Sequence, residues 1–318
     1  MITTLIPAYK AEFLKDLFQG LKTQTFKQFK VIISDDSPNN QVTAMLKSAE
    51  MQAYVSGLDL EIIEGPKKGA TANINYLTQY WGYKTPFVHL FLDDDIIYPL
   101  FYQLHMLAHQ KENVGASASF RWIGNEHGIP SATRPVPLFV SKSDERIDLF
   151  GAENLFPTMI STTKNWLGET SNVLFTADAF QYFEATSING ISYYGLRDVG
   201  VYLQISLTKK IALIKDHLSV FRIHKGQDTG DLNSTTYQGA HLAWLALAIA
   251  GLEVGKISSE QAKKGIALVS DEKIAPRFPH VPRMQAFAKL HKNYAVDSAE
   301  FRQDFLQLWN EFLSELNN

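Results

Sequence analysis

The chain has 318 residues, of which 45% are hydrophobic and 20% charged, and its net charge is −3. This balance is ordinary for a globular protein with one large domain or two smaller ones, and it lacks the basic footprint of a nucleic-acid-binding protein. Because the sequence contains no cysteine, disulfides and thiolate metal sites are excluded, which agrees with a reducing compartment.

Neither a leader nor a transmembrane segment is predicted. The N-terminal stretch MITTLIPAYK enters an apolar strand at once, without a basic leader, apolar core or cleavage site, so we do not expect secretion. The most apolar stretch, AHLAWLALAIAGLEVG, is shorter than the ~20 residues that a bilayer requires. It predicts a buried helix, with a membrane-surface helix as the alternative. We therefore expect a cytoplasmic protein, either free or at the inner face of the membrane.

The first part of the chain alternates between short apolar strands and helices with one apolar side. The predicted strands are TTLIP, KVIIS, LDLEII and FVHLFL. The predicted helices are FLKDLFQGLKTQ, QVTAMLKSAEMQAYV and TANINYLTQYWG. Strands of this length separated by helices predict an α/β fold with a mostly parallel sheet and helices on both faces. In such sheets, ligands bind beyond the carboxyl ends of the strands.

The rest of the chain changes character twice. Residues 124–165 have weak periodicity and predict long loops with short elements that cover the site. Helix and strand signals return in TADAFQYFEAT, LRDVGVYLQISLTK and KIALIKDHLSVFRIH, and from residue 237 almost every segment predicts helix, ending in a helix capped by Ser298. We therefore predict a catalytic domain over residues 1–230 and a helical C-terminal subdomain over residues 231–318.

Two acidic clusters stand directly after predicted strands. Asp35 and Asp36 follow KVIIS, and the triplet 93–95 follows FVHLFL. Because repulsion and desolvation disfavour such clusters, a cation or a run of hydrogen-bond donors must offset them. Both clusters lie at carboxyl ends of strands, so we expect them to share one site. The alternatives are an Asx turn for DDSPN and a helix-capping acidic turn for the triplet.

The triplet has the chemistry of a metal site. Hard carboxylate oxygens suit Mg²⁺ or Mn²⁺. Asp93 and Asp95 are separated by one residue, so their side chains point the same way if the segment is extended. One of them would then hold the metal while the other meets a sugar hydroxyl. A metal held in this way would stabilise a diphosphate as a leaving group.

The stretches LIPAYK, VIISDDSPN, GATANIN and FLDDDIIYP, in this order, resemble the N-terminal half of the GT-A-fold family 2 glycosyltransferases. The resemblance covers roughly residues 3–224 and is strongest before Pro99. It implies a GT-A fold, a Rossmann-like and mostly parallel sheet flanked by helices, here with a helical C-terminal addition. It also implies transfer of a sugar from a nucleoside diphosphate donor with inversion at the anomeric carbon.

The resemblance also implies a donor site. The implied nucleotide-sugar contacts are Pro7, Ala8, Tyr9, Asp35, Asp36, Lys68, Gly69, Asn75, Asp93 and Asp94, and the implied ligands of Mn²⁺ or Mg²⁺ are Asp95 and His224. Tyr9 would stack on the base, and Asp93 would contact ribose or sugar. The basic residue that the family has two positions before Asn75 is replaced by Asn73, so Lys67 or Lys68 would supply the charge. Lys225 and Gln227 are candidate phosphate contacts, whereas a purely structural His224 is the alternative.

Two later stretches resemble the acceptor side of the family. YYGLRDVGVYLQIS implies Asp198 as the base that takes the acceptor proton, with Arg197 at the place of the usual Glu and expected to lower the pKa of Asp198. The alternative is a helix N-terminal acid favoured by the dipole. WLGETSN implies that Trp166, Glu169 and Asn172 line the acceptor site, although a buried structural Trp is equally compatible.

The resulting hypothesis is an inverting, metal-dependent hexosyltransferase. It would move glucose, galactose or an N-acetylhexosamine from a UDP-sugar to a hydroxyl of a glycan or glycoprotein, as in bacterial enzymes that extend surface adhesin or capsule glycans. The helical tail would dock the acceptor, form a homodimer or bury the last face of the body. The alternatives are a magnesium-dependent nucleotidyltransferase, disfavoured because no basic Gly-rich loop occurs early, and a non-catalytic carbohydrate- or nucleotide-binding module.

Overall fold

The computed structural model describes residues 1–225, Leu232 and residues 234–316. Contacts separate the chain into two units. The first unit consists of Met1–Leu149, Trp166–Glu184 and Thr208–Lys225, and the second of Phe150–Asn165, Ala185–Leu207 and Gly226–Asn318. The predicted domain division at residue 230 stays a prediction. Within the described residues, every helix falls short of the length or the apolar content that a bilayer crossing requires.

The elements follow one another in an α/β order. The strands are β1 (Ile2–Ala8), β2 (Phe29–Asp35), β3 (Leu60–Glu64), β4 (Phe87–Leu90), β5 (Ile96–Ile97), β6 (Val114–Gly124), β7 (Pro130–Thr133), β8 (Ile147–Phe150), β9 (Val173–Thr176), β10 (Ser187–Ile188), β11 (Ile191–Ser192) and β12 (Lys210–Arg222). The helices are α1 (Leu14–Lys22), α2 (Gln41–Lys47), α3 (Ala49–Val55), α4 (Ala70–Trp81), α5 (Phe101–Ala108), α6 (Leu138–Ser141), α7 (Ala152–Thr162), α8 (Ala177–Phe180), α9 (Arg197–Ser206), α10 (Thr235–Glu253), α11 (Ser259–Ala267), α12 (Ala275–Arg277), α13 (Pro282–Asn293) and α14 (Ala299–Glu315).

The first unit contains one large sheet with the strand order β3-β2-β1-β4-β9-β6-β12-β5, and β7 and β8 extend it at β6 and β12. The strands β3, β2, β1 and β4 are parallel, as are β6 and β12, whereas β9 is antiparallel to both of its neighbours. The prediction of a mostly parallel sheet flanked by helices is therefore confirmed. Because β1, β2 and β4 run in one direction, the loops that follow them emerge at the same edge.

Burial explains why these segments form strands and helices. All of β1 is buried, and β2 is buried from Val31 to Asp35, as expected for interior parallel strands covered on both faces. In α1, the predicted apolar side is the buried one, with Leu14, Leu17, Phe18 and Leu21 packed into the core cluster.

Two predicted segments differ from the structure. The predicted single helix over residues 41–55 is two helices, because Ser48 adopts an extended conformation (ψ 151°) and its hydroxyl accepts from the Met51 amide. The predicted loop region 124–165 contains β7, β8 and the 11-residue helix α7. That helix has Pro157 in its interior, which masks the helical signal because proline disfavours helix interiors.

In the second unit, the predicted helical character of the C-terminal region is confirmed. Side chains all around α10 are buried, and α7, α10 and α11 pack on one another. Gly265 permits the close approach of α11 to α7, since an added Cβ would collide with the Ile160 carbonyl oxygen. The Ser298 hydroxyl caps α14 by accepting from the Phe301 amide (3.1 Å), as predicted.

Candidate active site

Loops after four strands of the first unit meet at one edge of the sheet. Residues 9–10 follow β1, residues 35–40 (the Asp35 loop) follow β2, residues 93–95 (the Asp93 loop) follow β4, and residues 223–225 follow β12. Hydrogen bonds hold them together: the Asp36 amide donates to the Ala8 carbonyl (2.8 Å), and the Phe91 amide continues the ladder to Leu5 (2.9 Å). The two acidic clusters therefore lie at the same edge.

Asp35 organises its own loop. Its Oδ1 accepts from the Ser37 amide (2.9 Å) and hydroxyl (2.5 Å), and its Oδ2 accepts from the Thr43 amide (2.8 Å). Burial favours the neutral acid, but the hydrogen bonds from Ser37 and Thr43 outweigh it and hold the pKa of Asp35 below its usual value. The side chain is fully buried. Because its Oδ1 accepts from the amide two residues further on, Asp35 makes the Asx turn that is the alternative interpretation of this stretch.

Asp36 borders a cavity of about 380 Å³. The lining residues are Tyr9, Asp36, Ser37, Pro38, Asn39, Lys67 and Gly69. The Asp36 carboxylate accepts from the amides of Lys67 and Gly69, and the Tyr9 side chain is 56% exposed. Gly65 is needed here, because an added Cβ would lie 2.8 Å from Asp36 Oδ1 and 2.9 Å from the Asp35 carbonyl oxygen.

The basic residues beside this cavity differ in their contacts. Lys67 Nζ donates to the carbonyl oxygens of Asp35 (2.6 Å) and Ser37 (2.8 Å), so it ties the Asp35 loop together. Lys68 is exposed, and Gly69 with φ +87° precedes the first turn of α4. On that helix, Asn75 is exposed, whereas Asn73 is buried and donates to the Ser34 carbonyl (3.3 Å).

The Asp93 loop is a turn, which corrects the assumption of an extended segment. The Asp95 amide donates back to the Leu92 carbonyl (3.3 Å), so the three carboxylates meet different partners. Asp93 Oδ2 accepts from the amides of Tyr9 (2.6 Å) and Lys10 (2.7 Å). This contact joins the Asp93 loop to the end of β1 and hence to the cavity.

Asp94 is paired with two basic side chains. Lys10 Nζ lies 2.7 Å and His224 Nε2 2.9 Å from Asp94 Oδ2, and the two nitrogens are 3.3 Å apart. Burial pushes the pKa of Asp94 upward, but His224 and Lys10 outweigh it and hold the pKa below its usual value. The His224 ring in turn packs against Phe13, with ring centroids 5.0 Å apart.

Asp93 and Asp95 are less well compensated. Burial raises the pKa of Asp93 to about 6. Burial and the neighbouring Asp94 charge raise the pKa of Asp95 well above its usual value, although the Ser171 hydroxyl and the Arg222 amide (3.2 Å) donate to it. The Asp93 loop is therefore rich in carboxylates that additional positive charge would stabilise.

The Asp93 loop and His224 offer two kinds of ligand that divalent cations use. No group of three or more His, Asp or Glu side chains is arranged around one point in the part of the chain that the structure describes. Asp94 Oδ2 and His224 Nε2 nevertheless combine a hard oxygen with an imidazole, and the Lys10 ammonium already occupies the position of a cation beside both. We call Asp94 Oδ2 and His224 Nε2 the cation site. The predicted ligand role of Asp95 stays a prediction.

Arg222 and Lys10 are site residues that the sequence reasoning missed. Arg222 is fully buried, and its guanidinium donates to the carbonyls of Asp94 (2.7 Å) and Glu126 (2.8 Å) and to Asp16 Oδ2 (2.8 Å). The sequence feature that could have identified them is a basic residue near the end of a predicted strand. Lys10 lies three residues after TTLIP, and Arg222 lies two residues before His224. Of the candidate phosphate contacts, Lys225 is exposed and Gln227 lies outside the described residues.

The predicted acceptor residues of the first unit are largely buried. Glu169 pairs with Arg121, whose Nε lies 2.5 Å from Glu169 Oε2. Asn172 Oδ1 accepts from the hydroxyls of Ser119 (2.7 Å) and Ser219 (2.6 Å), and so links β6 with β12. Trp166 is 3% exposed and forms part of the wall of a second cavity, of about 270 Å³. The other residues lining it are Phe120, Arg121, Thr133, Arg134, Pro135, Val136, Ser141 and His217.

Asp198 belongs to the second unit, where it stands in the first turn of α9. The side-chain amide of Asn165 donates to its Oδ2 (2.7 Å), and the backbone amide of Val199 donates to its Oδ1 (2.8 Å). This is the place expected for an acid favoured by the helix dipole. The neighbouring Arg197 is half-buried, and burial lowers its pKa. The catalytic role of Asp198 stays a prediction.

Comparison with known proteins identifies the fold and the family. The family model for glycosyl transferase family 2 matches residues 3–167, more than half of the chain, whereas no curated protein matches the sequence significantly. The crystal structure of S. aureus TarS 1–349 in complex with UDP-GlcNAc is similar with a TM-score of 0.58 at 13% identity, covering 98% of this chain and 80% of that chain.

Two further solved structures share the fold. The mannosyltransferase PcManGT from Pyrobaculum calidifontis, in complex with GDP-Man and Mn²⁺, has a TM-score of 0.52 at 11% identity and covers 98% of this chain and 86% of that chain. GalNAc-T7 with UDP, GalNAc and Mn²⁺ has a TM-score of 0.53 at 9% identity, covering 89% and 58%.

At these identities the similarity concerns the fold, which is the predicted GT-A fold with a helical C-terminal region. The family match adds the activity, since it assigns glycosyl transfer and gives no support to the nucleotidyltransferase or binding-module alternatives. The chain therefore belongs to glycosyl transferase family 2 and is a glycosyltransferase.

Proposed function

We propose that this chain is an inverting hexosyltransferase that moves glucose, galactose or an N-acetylhexosamine from a UDP-sugar to a hydroxyl of a glycan or glycoprotein. One observation carries the proposal: the cavity beside Asp36 and the cation site lie at one sheet edge, joined by the amide of Tyr9 donating to Asp93. The choice of UDP is supported by TarS and GalNAc-T7, which were solved with UDP-GlcNAc and with UDP.

The nucleoside occupies the cavity in this proposal. Tyr9, exposed at the end of β1 after Pro7 and Ala8, offers a ring face on which a base can stack. Asp36 accepts a hydrogen bond from the base or the ribose. Asp35 contributes indirectly, because its buried carboxylate fixes the loop that carries Asp36.

The diphosphate lies between α4 and the Asp93 loop. Lys68 and Gly69 stand at the N-terminus of α4, where free amides and the helix dipole favour a phosphate, and Asn75 faces solvent on the same helix. Asp93 orients the ribose or the sugar. Mn²⁺ or Mg²⁺, held by the predicted ligands Asp95 and His224 together with Asp94, would supply positive charge to the departing diphosphate.

Asp198 is the proposed base. It takes the proton of the acceptor hydroxyl while the hydroxyl oxygen forms a bond to the anomeric carbon, opposite the breaking bond to the UDP oxygen. A single displacement of this kind inverts the anomeric centre without a covalent enzyme intermediate. Trp166, in the wall of the second cavity, offers an apolar ring to the acceptor sugar, and Glu169 a polar contact. Asn172 acts on the acceptor site indirectly, because its buried side chain fixes β6 against β12.

The cellular role proposed is the extension of a bacterial surface glycan or adhesin glycan before export. It would take place in the cytoplasm or at the inner face of the membrane. The helical region after residue 231 is proposed to dock the acceptor or to form a homodimer.

A donor screen tests the proposal. Purified protein is incubated with UDP-glucose, UDP-galactose, UDP-GlcNAc and GDP-mannose, with Mn²⁺ or with EDTA, and the released nucleoside diphosphate is measured. We expect release from a UDP-sugar that requires Mn²⁺. Asp198→Asn should lower transfer roughly 10²–10⁴-fold while UDP binding persists, whereas the exposed Asp59→Asn serves as the matched control. Release from GDP-mannose alone, or full activity of Asp198→Asn, would contradict the proposal.

A further inference from the structure

Lys10 occupies the cation site in a fixed, partly buried geometry. Its Nζ is 2.7 Å from Asp94 Oδ2 and 3.3 Å from His224 Nε2. The side chains of Lys10, Asp94 and His224 are 24%, 11% and 6% exposed. The Lys10 amide also donates to Asp93 Oδ2 (2.7 Å), so its backbone is anchored to the same loop. This is a built contact rather than a surface ion pair between two flexible side chains.

A divalent ion and the Lys10 ammonium cannot share this position. A metal bound to Asp94 Oδ2 and His224 Nε2 would lie about 2.0–2.2 Å from each atom. An ammonium hydrogen-bonded to the same oxygen, and within 3.3 Å of the same nitrogen, would then contact the ion and repel it. Metal binding therefore requires the Lys10 side chain to swing away, and the freed ammonium needs a new anionic partner.

The diphosphate of the donor is such a partner. Lys10 directly follows Tyr9, which lines the cavity proposed for the nucleoside. A lysine side chain has three rotatable donors on a flexible stem, so it can move between a carboxylate and a phosphate without a change in the backbone. In this exchange the Lys10 ammonium moves from Asp94 to the diphosphate, and the divalent ion takes the place of the ammonium at Asp94.

We propose that Lys10 is an internal cation that holds the cation site while nucleotide is absent and exchanges with the divalent ion when the nucleotide diphosphate binds. Lys10 therefore couples the two ligands: Mn²⁺ binds weakly alone and more tightly with UDP. The inference rests on the proposed donor site, and it goes further by giving Lys10 a role in the order of binding.

The test measures Mn²⁺ binding to the full chain, with and without UDP. The electron paramagnetic resonance signal of free Mn²⁺ is the readout. In Lys10→Met, the competing charge is removed and the length of the side chain is kept. We expect this variant to bind Mn²⁺ at least tenfold more tightly than wild type without UDP, and to gain less from UDP. Lys15→Met is the matched control, since Lys15 pairs with Glu50 and touches none of these atoms. It should bind Mn²⁺ as wild type does.

A charge-preserving variant keeps the test decisive if Lys10→Met is unstable. Lys10→Arg retains the cation and should leave Mn²⁺ binding without UDP weak. Equal or weaker Mn²⁺ binding by Lys10→Met, or no Mn²⁺ binding by any variant, would overturn the inference. UDP binding is measured separately by calorimetry in EDTA. If UDP binds but Lys10→Met does not change Mn²⁺ binding, the Lys10 exchange is contradicted and the proposed donor site is not. If Lys10→Met binds Mn²⁺ more tightly but no protein binds UDP, the proposed UDP-sugar donor is contradicted and the competition between Lys10 and Mn²⁺ is not.

Discussion

The Asp35 loop and the Asp93 loop place similar carboxylates at the same sheet edge but neutralise them differently. Asp35 and Asp36 accept from backbone amides and a serine hydroxyl. Asp94 instead faces the side chains of Lys10 and His224. Backbone donors cannot leave without unfolding the loop, whereas an ammonium can rotate away. Asp35 and Asp36 are thus held in place, as is Asp93 by the amides of Tyr9 and Lys10, whereas Asp94 makes the exchangeable contact of the site.

The largest effect that this contrast predicts is on turnover. Asp94→Ala removes the oxygen of the cation site, so we expect sugar transfer to fall roughly 10³-fold, because the departing diphosphate loses its positive charge. The free energy of unfolding should fall less than in Asp35→Asn, since the Lys10 side chain is 24% exposed and can turn to solvent, although the His224 side chain is only 6% exposed. Nucleoside diphosphate release and urea unfolding measure the two quantities. A large loss of stability with sugar transfer retained would contradict this prediction, because it would show that Asp94 holds the fold rather than the cation.

The matching change in the Asp35 loop should act on stability instead. In Asp35→Asn, an amide NH₂ group must face a donor, because both carboxylate oxygens accept in the wild type. We expect the free energy of unfolding to fall by about 3 kcal/mol. Urea unfolding at pH 7 measures the change, with the exposed Asp59→Asn as control. A variant as stable as this control would show that the loop is held elsewhere.

The pH dependence of stability separates this loop from the core beneath it. Burial lowers the pKa of His89 to about 4, so protonation favours the unfolded state and the contribution of His89 to stability falls as the pH drops from 6.5 to 4, by about 3 kcal/mol. Because the folded pKa of Asp35 is below its usual value, its contribution is kept above pH 4 and is lost only in stronger acid. Wild type and Asp35→Asn should therefore run parallel between pH 7 and 4 in urea unfolding. Convergence within that window would contradict these assignments.

The smallest predicted effect concerns the Asp35 loop. Gly65→Ala places a methyl group against Asp36 and the Asp35 carbonyl, so the loop must shift by a few tenths of an ångström. We expect the Kd for UDP to rise about fivefold, roughly 1 kcal/mol. Mn²⁺ binding without nucleotide should stay unchanged, because the cation site has no part in that contact. An equal loss of both ligands in calorimetry would show that the two loops move together.

The sequence allows the sheet edge to be predicted but not the pairing at it. Apolar runs of strand length followed by acidic residues predict where β2 and β4 end, and parallel strands bring those ends together. The partners of Asp94 lie 84 and 130 residues away in the chain, and no local pattern reports a contact at such separations. The turn at residues 93–95 also depends on the Tyr9 and Lys10 amides, which is why an extended segment was the wrong assumption.

Helix errors have local physical causes. The break at Ser48 is a competition in which a side-chain hydroxyl replaces a backbone carbonyl as acceptor for the next helix, and single-residue propensity does not reveal which one wins. In α7, Pro157 lacks the amide that a helix interior needs, yet burial of Leu155, Phe156, Met159 and Ile160 stabilises the helix. Tertiary packing of this kind depends on α10 and α11, which come much later in the chain.

That late packing has a consequence for synthesis on the ribosome. The apolar face of α7 emerges about 75 residues before α10 does, so it remains uncovered while the intervening chain is translated. Non-local contacts of this kind form slowly, and until they form the apolar surface stays exposed to other molecules. A nascent chain stalled near residue 225 should consequently recruit chaperones or aggregate, even though every strand of the large sheet has already been made.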